Sequence, residues 1–139
     1  MARSDGTEEA ASARGVTFTF DTGMLIALER RKRRATEAFR AIVRRGVLPI
    51  VPAIVYVEWW RGRTDIREEI LAAVIVEDMP AALCRAAGEA LGSVKGSTLA
   101  DAIVMASAAL RGGGVVYSAD VDDLKRLQPH FPTVVILPV

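Results

Sequence analysis

The chain has 139 residues, 51% of them hydrophobic, and a net charge of +1. That suits one domain able to bury its own core and argues against general disorder. No apolar run reaches membrane-spanning length, and with one Cys and one His the chain forms no internal disulfide and no Cys/His zinc site.

Residues 1–15 are polar and small, with Asp5, Glu8 and Glu9 and no apolar stretch. They read as a flexible tail rather than a signal peptide, so the domain is expected to span 16–139. With the lone Cys84, this points to a reducing cytoplasm. Cys84 is expected to pack in the core. His130 lies in the turn-like Gln128-Pro129-His130-Phe131-Pro132 and is not expected to be catalytic.

The first element is Val16-Thr17-Phe18-Thr19-Phe20, all β-branched or aromatic, which predicts a strand. It stops at Asp21, and Met24 to Leu28 reads as the start of a buried helix. Asp21 is thus placed at a strand-to-helix junction, where it could cap the helix or serve chemistry. Arg30, Arg31, Lys32, Arg33 and Arg34 follow consecutively. The run is either a solvated helix face or a phosphate-binding surface. Ala35 to Arg45 has helical apolar spacing, and Gly46 stops it.

Val47 to Val51 reads as a second strand despite Pro49, and Pro52 opens a helix carrying Ile54, Val55, Val57, Glu58, Trp59 and Trp60. Thr64 or Asp65 caps a helix over 66–73. Val74-Ile75-Val76 reads as a third strand. A helix is predicted from Met79-Pro80 to about Leu91, and Gly92 to Ser97 as a loop. Thr98 caps a helix over Leu99 to Leu110, which Gly112-Gly113-Gly114 ends. Val115 to Ser118 is a fourth strand, Asp122 to Leu127 a short helix, and Val134 to Leu137 the last strand. This alternation predicts an α/β fold, a central parallel sheet of four to five strands flanked by helices.

Four acidic residues stand in apolar surroundings: Asp21, Glu58, Asp101 and Asp120. Each has a bland alternative. Thr98 with Asp101, and Asp120 with Asp123, could form capping boxes, and Glu58 could face water. Asp21 and Asp120, however, follow parallel strands and must share one sheet edge. Two carboxylates about 4 Å apart repel by roughly 4 kcal/mol at an effective dielectric of 20. The motifs hold no Lys, Arg or His to offset this, so a divalent cation is the economical partner. All-oxygen ligands select Mg²⁺ or Mn²⁺, which suits metal-assisted phosphodiester hydrolysis. An Asp-x-Asp phosphatase signature fails at Gly23, and no Gly-rich nucleotide cradle is present.

Four segments, in this order and at these separations, resemble the PIN-domain nucleases, and more narrowly the VapC toxins of type II toxin–antitoxin systems. They are Phe20-Asp21-Thr22-Gly23, Val51-Pro52-Ala53-Ile54-Val55-Tyr56-Val57-Glu58 with Arg61-Gly62, Leu99 to Ala106, and Ser118-Ala119-Asp120-Val121-Asp122-Asp123-Leu124. Gly23 departs from the pattern, standing where Ser is common. The resemblance covers Val16 to Val139. It implies an endoribonuclease with Asp21, Glu58, Asp101 and Asp120 as its acidic quartet, Mg²⁺ or Mn²⁺ on Asp21, Asp101 and Asp120, and support from Ser118 and Asp123. It implies a homodimer, an RNA substrate, and a cognate antitoxin that covers the site and a hydrophobic groove; Tyr56, Trp59 and Trp60 are candidates to line that groove, with at least one of them expected in the core instead. Arg31, Lys32, Arg33 and Arg34 become candidate RNA contacts. A PIN nuclease of RNA processing without an antitoxin, and a non-catalytic RNA- or protein-binding module of the same fold, are the competing readings.

Overall fold

In the computed structural model, which describes residues 16–139, β1 spans Phe18–Phe20. The proposed tail, 1–15, lies outside the described residues. Four further strands follow: β2 (Ile50–Pro52), β3 (Ile75–Glu77), β4 (Gly114–Ser118) and β5 (Val134–Pro138). All pairings are parallel, in the order β3-β2-β1-β4-β5. The chain builds outward from β1 to β3, then returns to lay β4 on the other side of β1. This reversal opens a crevice at the carboxyl ends of β1 and β4, where open α/β sheets bind ligands.

Among the described residues, seven helices flank the sheet: α1 (Thr22–Glu29), α2 (Arg33–Arg44), α3 (Ala53–Trp59), α4 (Asp65–Ala72), α5 (Ala81–Ser93), α6 (Leu99–Leu110) and α7 (Val121–Lys125). A 3₁₀ turn, Gln128–His130, follows α7. The predicted elements are all present, most with shifted ends. Pro49 stays outside β2. Pro52 is the last residue of β2 and the cap of α3, rather than a residue of its first turn. Having no N–H to give, Pro52 suits a place where strand hydrogen bonding ends.

The core centres on α6, whose bounds match the sequence expectation. Ala100, Ala102 and every residue from Ile103 to Ala108 are buried. A helix buried all round carries small residues so that neighbours can approach. Phe20, Met24, Leu25, Val51, Val55, Ile103, Met105 and Val116 fill the space between α6, the sheet and α1. The glycine break before β4 is required by geometry. Gly113 and Gly114 have φ of 108° and 112°, and a Cβ on Gly114 would lie 2.7 Å from the Thr17 carbonyl oxygen.

Two polar ties join distant elements. Glu29, at the end of α1, accepts from Trp59 Nε1 at 2.9 Å and pairs with Arg67 at 2.8 Å. Glu77, at the end of β3, accepts from Ser107 and Arg111. Trp59 is therefore a core residue with a satisfied N–H and does not line an open groove. Cys84 also departs from expectation: it is exposed on α5, because Leu83, Ala87 and Ala90 form that helix's buried stripe. Among the described residues, no helix is long and apolar enough to cross a membrane.

Candidate active site

Phe20 pairs with Tyr117, so the next residues, Asp21 and Ser118, share one level at the ends of β1 and β4. Asp21 is buried, as is Ser118. Both sequence readings of Asp21 apply together. Its Oδ1 accepts from the Met24 N–H at 2.8 Å, capping α1, while its carboxylate stands at the crevice. Burial pushes the Asp21 carboxyl up to about 6 from its ordinary 3.8. The Ser118 hydroxyl and the Met24 N–H pull it back, and the charges of Asp101 and Asp120 raise it further.

Asp120 leaves β4 one residue beyond Ala119, and its N–H donates to the buried Ser118 Oγ at 2.8 Å. Its own side chain makes no cap bond to α7, so the capping-box alternative does not describe it. Asp120 is exposed, and its carboxyl is raised, first by hydrogen bonding with Asp123 and then by the neighbouring acids. Asp101 lies in the first turn of α6. Its N–H donates to the Thr98 hydroxyl at 3.1 Å, which caps the helix. Its carboxyl is raised by partial burial and by the charges of Asp123 and Glu58. Glu58 is exposed on α3, and its Oε1 accepts from the Thr22 hydroxyl at 2.6 Å. All four predicted acids, with Asp123, thus act on one another around one mouth.

Three residues of this mouth escaped the sequence reading. Thr22 fixes Glu58 across 36 positions. Gly23 is needed for close packing: a Cβ there would lie 2.8 Å from the Ala119 Cβ. The α1 turn therefore presses directly against the β4 exit loop, keeping Asp21 and Asp120 near each other. Arg126, two residues past the last motif, brings a cation to the acids. Its Nη2 donates to Asp123 Oδ1 at 2.9 Å, and its charge lowers the Asp101 carboxyl. Arg126 lies three residues past Asp123, so an i,i+3 rule would have found the pair.

The basic run sits apart. It begins where α1 ends, about 12 Å of helix from Thr22. Arg30 to Arg34 are exposed, and Arg33 pairs with Glu37 at 3.2 Å on the surface. Arg31, Arg33, Thr36, Glu37 and Arg40 line a shallow depression there.

The donor chemistry at the mouth fits a hard divalent cation: carboxylate and hydroxyl oxygens only, a nearly buried acid, and repulsion reaching from Asp21 to Asp101 and Asp120. Among the described residues, no group of three or more Asp, Glu, His or Cys side chains is arranged to hold a metal ion by itself. Mg²⁺ commonly takes only one or two carboxylates and keeps its waters.

The sequence matches the family described as PIN domain over residues 18–128. No curated protein gives a significant match. Among solved structures, the fold is similar to VapBC2 from Rickettsia felis bound to a promoter DNA fragment, with 11% identity, 89% of this chain and 99% of that one covered, and a TM-score of 0.70. It is similar to DNA-bound VapBC from Salmonella typhimurium, with 16% identity, 88% and 98% covered, and a TM-score of 0.66. A toxin–antitoxin complex from Klebsiella pneumoniae follows, with 20% identity, 86% and 96% covered, and a TM-score of 0.64.

Proposed function

This chain belongs to the PIN domain family, and on that premise we propose that it is a metal-dependent endoribonuclease acting as a VapC-type toxin. One observation carries the reading: a buried Asp21 whose carboxyl is raised by burial and by Asp101 and Asp120, at the switch point of a parallel sheet. Such a shift marks a site where a charge has been placed against its own preference.

In this reading Asp21, Asp101 and Asp120 would hold Mg²⁺ or Mn²⁺. When bound, the cation supplies Lewis acidity toward the phosphate and an activated water. Glu58, held by the Thr22 hydroxyl, would take up a proton released in hydrolysis. Ser118 keeps the Asp120 backbone in place and offers its hydroxyl to Asp21. Asp123 restrains Asp120 from the first turn of α7. Arg31, Lys32, Arg33 and Arg34 contact the RNA backbone away from the cut, in keeping with their exposure at the far end of α1.

An antitoxin is the proposed regulator, since three similar structures are toxin–antitoxin complexes. Val57 and Leu99 support it. Both are exposed, at 69% and 56%, and adjoin Glu58 and lie near Asp101. A partner segment that fills the mouth would cover them, joined by the half-buried Tyr56 and Trp60. A homodimer belongs to the same reading, with Ile75, Val76 and Met79 offering exposed apolar surface at edge strand β3.

The test is cleavage of total cellular RNA by purified protein with Mg²⁺, with EDTA, and by Asp101→Asn. Any co-purified partner is first removed by unfolding and refolding. Discrete cuts that vanish under EDTA and in the variant support the reading. Cutting that ignores both, or none by the refolded wild type, refutes it.

A further inference from the structure

The acidic mouth repels the phosphates of its own proposed substrate. Among the charges that act on Asp101, two are the acids Asp123 and Glu58 and one is the cation Arg126. Arg126 ends α7, and its guanidinium reaches across to a segment 30 residues away: Nη2 donates to the Gly96 carbonyl at 3.3 Å as well as to Asp123 at 2.9 Å. An i,i+3 surface pair needs no such bridge. The loop between α5 and α6 is shaped to receive it. Gly96 has φ of 83°, and a Cβ there would lie 3.2 Å from Arg126 Nη1. A side chain at 96 would thus crowd the guanidinium.

Both bonds leave from Nη2. Nε and Nη1 have no hydrogen-bond partner among the described residues, and the side chain is 49% exposed. A guanidinium held by one nitrogen beside a carboxylate cluster still has Nε–H and Nη1–H to give in single charge-assisted bonds to phosphate oxygens. We propose that Arg126 is a substrate-contacting residue that binds an RNA phosphate beside the scissile one. This rests on the ribonuclease reading above and adds a residue to it. Asp123 and the Gly96 carbonyl hold the guanidinium in place beforehand, and Asp123 also touches Asp120. One residue thus connects the acid cluster to the RNA backbone.

The experiment measures binding of a fluorescent single-stranded RNA containing a mapped cut site, across KCl concentrations. Ca²⁺, another hard oxygen-seeking cation, replaces Mg²⁺. Wild type is compared with Arg126→Gln and Arg126→Lys, each checked by thermal melting. One phosphate contact contributes about 0.7 to the slope of log K against log salt on a single strand. Arg126→Gln is expected to flatten the slope by about that much and raise KM more than it lowers kcat. Arg126→Lys should keep the slope while binding more weakly. A merely structural role would change melting temperature without moving the slope. An unchanged slope in Arg126→Gln, with wild type binding and cutting RNA, overturns this assignment alone. A wild type that neither binds nor cuts RNA overturns it together with the ribonuclease reading.

Discussion

Asp21→Asn should make the metal-free protein more stable while abolishing cleavage. The folded Asp21 carboxyl is raised from 3.8 to about 6. Between those values the folded state holds a proton that the unfolded state has released. Its stabilising contribution is therefore complete below pH 4 and is lost as pH rises through about 6. At about 1.4 kcal/mol per pH unit, the rise from 3.8 to about 6 means that ionised Asp21 costs roughly 3 kcal/mol at neutral pH. Asn keeps an oxygen for the Met24 N–H and carries no charge. For a domain of this size roughly 3 kcal/mol is about 10 °C in Tm. The assay is thermal melting of wild type and Asp21→Asn in EDTA at pH 4.5 and 7.5, at equal ionic strength. The variant should melt well above wild type at pH 7.5, and the gap should shrink to about a third of that at pH 4.5. Mg²⁺ at pH 7.5 should raise wild type and leave the variant unmoved. A gap that is the same at both pH values, or a variant that melts lower at pH 7.5, refutes the argument that Asp21 is ionised against the preference of its surroundings.

Gly23→Ala should cost about 1–3 kcal/mol and most of the cleavage, because its Cβ would lie 2.8 Å from the Ala119 Cβ. Adding Ala119→Gly should restore much of both, as denaturant titration and RNA cleavage would show; no rescue would place the fault elsewhere. Thr98→Ala removes the hydroxyl that accepts from the Asp101 N–H and should cost about 1 kcal/mol by chemical unfolding. Neutralising Arg31, Lys32, Arg33 and Arg34 should weaken RNA binding and flatten its salt dependence with little effect on kcat. An unchanged salt slope would make that run a solvated face.

The alternation of strands and helices was legible in the sequence because it rests on local signals. Periodicity, β-branched runs and turn residues act over a few positions. Thr98 before an apolar run and glycines after it bound α6 in sequence and structure alike. The four acids were legible because each is a charge in an apolar setting. What the chain alone could not reveal was distance between segments. Strand order decided that Asp21 and Ser118 share a level, and that the ends of β1 and β4 form the crevice. Helix packing decided that Thr22 meets Glu58, that Arg126 meets Gly96, and that Trp59 turns inward to Glu29. The orientation of α5 decided that Cys84 faces out. Each of these contacts except the last joins residues 30 or more positions apart. Composition and spacing constrain what a segment becomes. Only the packed chain determines which side chains meet, and so how the charge of each acid is balanced.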